Sequence, residues 1–368
     1  MLRTCLYNFH IARNAKMVDF AGYAMPVLYQ GQTHIESHNW VRTNAGLFDV
    51  SHMVQHRFTG KDATALLQQV TPSDLVALKP FNSTLSVLLN ESGGIVDDTI
   101  ICKHGEDDYY VVTNAGTKEK DLGFFKEQAA RHNLKPGHSL ITGGLVALQG
   151  PKAAETLQKF TTADLSKIWF GQSAFIDLLG TSVHVARGGY TGEDGFELSI
   201  TDEAKTVEFA EAITALDAVK PIGLAARDSL RLEAGMCLYG HDLDEGKTPV
   251  EARLAWTIGK SRRGDNFNGA QVIRDQLQQK SSLLRTGLVS SGPAPREGCT
   301  VRSTAGGAEV GVVTSGSMSP TLKKNVAMAY LPRDLAKSGT ELSVSIRGKN
   351  YVATVVPMPF VPTRYYKP

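Results

Sequence analysis

Cysteine is scarce in this sequence. There are four in 368 residues (Cys5, Cys102, Cys237 and Cys299), far apart and never as a CxxC pair. That scarcity argues against a disulfide framework or a structural zinc motif and favours a reducing compartment, with the four thiols read as small buried hydrophobes. No apolar run approaches the ~20 residues that cross a bilayer. Charge of one sign is not in excess, with 39 Lys plus Arg against 37 Asp plus Glu, so no basic footprint for nucleic acid exists. Repeats and low-complexity blocks are absent, which excludes solenoids and arrays. There is no Gly-x-Ser-x-Gly elbow and no phosphate-binding loop, so hydrolase and kinase templates have no foothold.

What is present is a long chain of ordinary globular composition, 42% apolar, too long for one compact core. Strand-like runs at Thr84–Leu89, Ile95–Cys102, Asp108–Thr113 and Leu145–Leu148 alternate with helical patterns at Lys61–Val70 and Lys118–His132. Asn90-Glu-Ser-Gly-Gly reads as a turn between strands, and Gln149-Gly-Pro-Lys-Ala-Ala-Glu as a turn into a helix. The expected fold class is α+β with largely antiparallel sheets. After about Lys280 helical periodicity fades. Leu284–Ser290, Glu309–Thr314, Asn325–Tyr330 and Glu341–Val356 read as short strands broken by glycine, proline and serine. The expected division is therefore two interleaved α+β modules over 1–280 and a β-barrel or jelly-roll-like domain over 281–368. Residues 1–18 carry Arg3, Arg13 and Lys16 and no acid before Asp19, as transit peptides do. They run straight into folded-looking sequence, so a start at or near a mature N-terminus is expected.

Three stretches carry candidate chemistry. In Gly93-Gly-Ile-Val-Asp-Asp-Thr-Ile-Ile two acids enter an apolar strand. Adjacent strand residues face opposite sides, so one of Asp97 and Asp98 points inward if the other meets solvent. An inward carboxylate needs partners or a ligand, because desolvating it alone is costly. A turn-capping pair would look the same on spacing. In Arg187-Gly-Gly-Tyr-Thr-Gly-Glu-Asp-Gly-Phe-Glu-Leu the glycines let backbone approach a flat ligand, and Glu197 sits between Phe196 and Leu198. A carboxylate accepting two parallel N–H bonds suits the donor edge of a 2-amino-4-oxo pterin, although a solvated acidic hairpin fits the same letters. In Gly223-Leu-Ala-Ala-Arg-Asp-Ser-Leu-Arg-Leu-Glu-Ala-Gly, Arg227 and Arg231 share a helix face and call for an anion, from protein or ligand. His52 has no second His or Cys at metal spacing, so a ligand role is not expected of it.

These stretches, together with Lys16-Met-Val-Asp-Phe-Ala-Gly-Tyr, Leu47-Phe-Asp-Val-Ser-His-Met, Thr314-Ser-Gly, Lys323-Lys-Asn-Val-Ala-Met and Pro359-Phe-Val-Pro-Thr-Arg-Tyr-Tyr, resemble the glycine cleavage T-protein family nearly end to end. The resemblance implies an aminomethyltransferase with a multi-domain folate-binding fold built around a central hole. Such an enzyme moves the methylene carbon from the aminomethyl-lipoyl arm of a partner, the H-protein, to tetrahydrofolate. The products are 5,10-methylenetetrahydrofolate, ammonia and the dihydrolipoyl arm. It further implies Asp98 as the catalytic carboxylate and Glu197 as the pterin-gripping acid. Arg227 and Tyr365 are implied as further ligand-binding residues, with Met53, Leu85, Val112, Asn114, Tyr190, Trp256 and Arg285 lining the pocket. Tetrahydrofolate is implied as co-substrate, with no metal, no bound redox cofactor, no nucleic acid and no membrane. The setting is the mitochondrial matrix, or the cytoplasm of a bacterium.

One departure is Thr117, where relatives are expected to carry Cys or another small residue. Two relatives of the same fold compete. A folate-linked demethylating oxidase would be fused to a flavin domain, and no dinucleotide fingerprint is here. A folate-binding iron–sulfur assembly factor would carry Lys-Gly-Cys-Tyr-x-Gly-Gln-Glu, where this chain has Arg187-Gly-Gly-Tyr-Thr-Gly-Glu-Asp. Two basic clusters in apparent loops, Lys260-Ser-Arg-Arg and Lys323-Lys, are candidate docking patches for an acidic partner.

Overall fold

The computed structural model describes residues 1–368. Its centre is a pair of sheets. The first has five antiparallel strands in the order Ser83–Leu89, Ile95–Gly105, Asp108–Thr113, Val54–Thr59 and Gly137–Ile141. The second has six, in the order Ser173–Leu178, Thr181–Arg187, Gly195–Ile200, Gly144–Gln149, Ala45–Asp49 and Val219–Pro221, the last parallel to its neighbour. Each sheet packs helices on one face. Helices Ala63–Val70 and Lys118–Arg131 cover the first through Phe58, Leu66, Leu67, Val111 and Phe125. Ala153–Leu157 and Glu203–Thr214 cover the second through Leu148, Leu157, Phe196, Phe209 and Ile213. Truncating a fully buried ring such as Phe196 to Ala would cost about 3–5 kcal/mol, because transfer and cavity penalties add.

The remaining faces oppose one another. Between them lie Phe48, Leu145 and Ala147 from the second sheet, Cys102, Tyr110 and Val112 from the first, and Ala226 and Leu230 from helix Leu224–Glu233. Gln55 stitches the layers, its Oε1 accepting from Tyr110 Oη (2.7 Å) and Ser199 Oγ (2.6 Å). An inter-sheet space of this kind is where ligands meet side chains from two rigid scaffolds.

The third module is a closed barrel of Leu283–Ser290, Lys324–Pro332, Glu309–Ser319, Thr300–Ser303, Glu341–Ile346 and Lys349–Val356. Closure removes the exposed strand edges that short β domains otherwise present. The run expected as one strand, Glu341–Val356, is a hairpin. Arg347 and Gly348 both take positive φ (50° and 78°), the backbone that a two-residue turn requires. Thr300–Ser303, too short to show a pattern, had no counterpart in the sequence reading. The elements named from the sequence lie within a few residues of those observed, and the α+β core with its following barrel is as read, but Val54–Thr59, Thr181–Arg187 and Glu203–Thr214 are among those the sequence reading did not name.

Residues 4–10 join this architecture. Leu6 and Phe9 enter the second sheet's core, while His10 Nε2 and Thr4 Oγ1 reach the buried Asp49 carboxylate at 2.9 and 2.6 Å.

Candidate functional site

The strand Ile95–Gly105 begins with an irregularity. Asp97 pairs with Leu88 but Ile95 pairs with Leu89, so Val96 is an extra residue, a β-bulge. Beyond the bulge, Asp98 lies opposite Val87, and Ile100 lies in a row with Leu85, Val112 and Gln55. All of these share the inter-sheet face. Asp97 points the other way, yet not into water as alternation suggested. It is fully buried beneath helix Lys118–Arg131. A solvent-facing partner for Asp98 was the wrong expectation, because the helix covers that face of the sheet.

Asp97 is saturated with donors. Asn114 N (2.9 Å), Asn114 Nδ2 (2.8 Å) and Thr117 Oγ1 (2.9 Å) all donate to its carboxylate. Asn114 Nδ2 also donates to Asp98 Oδ1 at 2.9 Å, so one amide bridges the two acids. Thr117 thus acquires a role its position in the sequence did not show. A third carboxyl, Asp121, is fully buried beside Asp97 and receives no N–H or hydroxyl donor. Two buried carboxyls side by side resist a second charge, and since the donors go to Asp97, the proton is kept on Asp121. Burial, then the Asp97 charge, push Asp121 up to about 8. Burial first and the Asp97 charge second push Asp98 up to about 7, against the opposing hydrogen bond from Asn114. Asp98 therefore changes charge near neutrality, where a general acid or base is most effective.

Asp121 was missed, although a signal existed. Asp121, Phe125 and Gln128, four and three apart, are the buried residues of their helix, and an acid in such a stripe must have a partner.

The Gly-rich acidic segment separates its three carboxylates by role. Asp194 takes Arg187 in a two-pronged pair, Nε to Oδ1 at 2.9 Å and Nη2 to Oδ2 at 2.6 Å. Glu193 takes the buried Arg42 at 3.0 Å. Both are internal ties rather than acidic decoration on a solvated hairpin. Gly189 allows this packing, since a Cβ there would strike the Gln149 amide at 2.1 Å. Glu197 is different. It stands on strand Gly195–Ile200, in a row with Ala186 and Ala147, on the face it shares with Ser199, which meets Gln55 of the opposing sheet. It has no ion-pair partner within 4 Å, and burial raises its carboxyl while the Arg227 charge opposes that shift.

The two arginines of helix Leu224–Glu233 also diverge. Arg231 Nη1 meets the buried Asp242 at 2.8 Å and its Nη2 meets Ser315 Oγ of the barrel at 2.9 Å. Glu233 closes the same seam by accepting from Ser319 and Thr321 of the barrel and from Arg42 and His38. These residues clamp three modules together. Arg227 forms no ion pair. Its guanidinium lies 4.8 Å over the Tyr190 ring and is held by the fields of Tyr190 and Glu197. Tyr190 hydrogen-bonds the Cys237 carbonyl, and its phenol also lies in the field of Asp98. Asp98, Glu197, Arg227 and Tyr190 thus converge on one space, with Leu85 and Val112 as apolar floor and half-buried Met53 packed against the same cluster.

The other expected residues lie differently. Arg285 is buried, with Nε and Nη1 donating to the Ala252 and Gly235 carbonyls (2.9 and 3.0 Å), so it ties the barrel to the preceding segment. Tyr365 stacks on Phe170 (4.0 Å) beside the Arg42–Glu193 pair. Trp256 is 66% exposed on the turn Ala255–Thr257. His52 is buried edge-on to Phe20 at 5.4 Å, and burial lowers its imidazole to about 4, so it is neutral. Of the basic cluster Lys260-Ser-Arg-Arg, Lys260 and Arg263 are exposed but Arg262 is not free. Arg262 is buried, donating to Asp265 at 2.8 Å and to the Gln68 carbonyl. Lys323 and Lys324 are exposed, Lys323 in a turn and Lys324 opening the strand that follows.

This arrangement suits a flat, polar-edged ligand held between a carboxylate and an arginine, with a second, near-neutral carboxylate at the reacting end. The comparisons bear on the family. The GCVT N-terminal domain model matches residues 6–262 and the glycine cleavage T-protein C-terminal barrel domain model matches 285–362. The mitochondrial aminomethyltransferase of Saccharomyces cerevisiae is 52% identical over 99% of this chain and 96% of its own, and that of Pisum sativum 46% over 100% and 91%. The crystal structure of glycine cleavage system aminomethyltransferase T from Bartonella henselae superimposes with a TM-score of 0.93 at 36% identity, covering 100% of this chain and 99% of that one. With the two matched domains spanning most of its length, the chain belongs to the glycine cleavage T-protein family of aminomethyltransferases.

Proposed function

We propose that the inter-sheet space is the active site for aminomethyl transfer to tetrahydrofolate, with Asp98 as its catalytic carboxylate. The observation that carries this reading is the convergence of Asp98 and Glu197, from facing strands of two sheets, on a space that also holds the unpaired Arg227. Glu197 accepts the donor edge of the pterin, and Arg227 with Tyr190 holds the ligand's other polar groups. Asn114, Met53, Leu85 and Val112 shape the walls. Trp256, Arg285 and Tyr365 act at its margins, Arg285 by fixing the barrel in place. The pterin-facing and barrel-forming parts divide near residues 280–281.

In the reaction, folate N5 attacks the methylene carbon of the aminomethyl-lipoyl group, and that carbon finishes bonded to N5 and N10. The amino group leaves as ammonia and the sulfur as a thiol, each taking one of the two protons that N5 and N10 give up. Positive charge builds on the folate amine as its bond to carbon forms. A fixed carboxylate in a partly dry pocket stabilises that charge and accepts the proton. Asn114, bonded to both Asp97 and Asp98, positions the reacting carboxylate.

The partner in this reading is a lipoylated H-protein and the compartment the mitochondrial matrix, which the word mitochondrial in the relatives' names supports. No helix is long and apolar enough to cross a membrane. The test is methylenetetrahydrofolate formation from aminomethylated H-protein, with and without added tetrahydrofolate. Product that needs both components supports the reading, and no product with either sinks it.

A further inference from the structure

About four residues along the same strand face from Asp98, roughly 13 Å away, lies a second cluster that aminomethyl transfer does not use. Cys102 and His104 come from strand Ile95–Gly105 and His184 from strand Thr181–Arg187 of the facing sheet. Their ligand atoms lie within 4.8 Å of one another. His104 Nε2 is 3.1 Å from His184 Nε2, and Cys102 Sγ is 3.9 Å from His184 Nε2. Cys102 and His184 are buried and His104 is half-buried.

Aromatic rings fix both imidazoles. Phe175 meets His104 at 5.2 Å and His184 at 5.3 Å, Tyr110 meets His184 edge-on at 4.7 Å, and Phe81 stacks on His104 at 5.6 Å. Ser173 Oγ, 3.1 Å from Cys102 Sγ, is placed to donate to a thiolate there.

We propose that Cys102, His104 and His184 form a binding site for a borderline-soft divalent cation of the Zn²⁺ class, set between the two sheets. Four-coordinate zinc with N and S ligands at about 2.0–2.3 Å puts those ligands roughly 3.4–3.6 Å apart, a spacing that the 3.1 and 3.9 Å separations to His184 bracket. Without a cation one imidazole must donate its Nε2 proton to the other, whereas a cation among the three takes a lone pair from each. Carboxylates are absent from the ligand set, which disfavours Ca²⁺ and Mg²⁺, while a thiol with two imidazoles favours zinc and its congeners. The thiol proton is lost to solvent on binding, and the Nε2 proton shared by the imidazoles moves to an Nδ1. Phe81 and Phe175, 36% and 54% exposed, mark the outer wall, and half-buried His104 gives the entry path. The sequence reading expected no metal, and spacing could not have pointed to this one, because the third ligand is eighty residues from His104.

The test uses tag-free, full-length protein stripped with chelator and titrated with Co²⁺ as a spectroscopic probe, then with Zn²⁺ by calorimetry. The expected result is one equivalent per chain, with a thiolate-to-cobalt charge-transfer band that Zn²⁺ displaces. Cys102→Ser should abolish the band, and His104→Gln should weaken Zn²⁺ binding more than about 100-fold, beyond the loss typical of an outer-shell partner. No charge-transfer band in the unaltered protein would overturn the proposal, and needs no variant to fold. So would Zn²⁺ affinity unchanged by His104→Gln, whose site is only half-buried. Aminomethyl transfer should be indifferent to chelation, which separates failure of this site from failure of the folate site.

Discussion

The two sheets each bring one acid to the space between them, Asp98 and Glu197, and the acids around each are handled in opposite ways. At the first sheet, Asp97 and Asp98 crowd with Asp121 of the covering helix, among amide and hydroxyl donors and no cation, so charge is resisted and a proton is retained near neutral pH. On the second, Glu193 and Asp194 are neutralised by Arg42 and Arg187, and Glu197 faces the field of Arg227. The first sheet is built to move a proton, the second to hold a charge still. That contrast assigns chemistry to Asp98 and recognition to Glu197, and each assignment can be broken separately.

The largest effect expected is from Asp98→Asn. Turnover should fall roughly 10²–10⁴-fold while tetrahydrofolate affinity changes little, since the lost interaction acts in the transition state. Single-turnover kinetics and equilibrium binding read the two quantities apart. Glu197→Gln should do the reverse. Tetrahydrofolate binding should weaken by about 1–3 kcal/mol, because a donor then faces the pterin's donor edge. Calorimetry showing unchanged affinity would remove Glu197 from recognition.

Asp97→Asn sharpens the comparison further. The Asp97 charge raises Asp98, so its removal lowers Asp98 and should move the acidic limb of the rate profile to lower pH. A limb that stays put would mean the acids are not coupled. Asp121→Asn should act on stability. Its folded carboxyl is raised, so the unaltered protein loses stability as pH climbs from the ordinary carboxylate range, about 4, through about 8. The variant, neutral at every pH, should show a flatter melting temperature over that window. The smallest effect expected is from Lys323→Glu with Lys324→Glu, a few-fold higher apparent KM for H-protein that fades with added salt.

How much of this was legible depends on the distance over which a residue finds its partner. Asp98 was visible because an acid inside Ile95–Ile101 breaks an apolar run. The bulge at Val96 and the helix over Asp97 were not, since no local spacing encodes them. Glu197 stood out by its apolar neighbours. Its distinction from Glu193 and Asp194 rests instead on which of them meets an arginine, and Arg42 is 151 residues from Glu193. Arg227 and Arg231 look alike on a helix wheel, and only the barrel's approach assigns Arg231 to Asp242 and Ser315. Arg262 reads as a surface charge by sequence and is buried by a fold that brings Gln68 to it. The hairpin at Arg347-Gly348 was hidden because arginine is an unusual first residue for such a turn.

The central claim is that Asp98 is the group whose proton governs transfer. Its most direct test is the single-turnover rate at saturating tetrahydrofolate, followed from about pH 5.5 to 9 for the unaltered enzyme and for Asp98→Asn. The account predicts a rate that rises as Asp98 ionises, with an apparent midpoint near the value of about 7 at which burial and Asp97 hold it, and then levels off. The variant should be slow and flat across the same range. A variant that keeps both the limb and the rate would contradict the account.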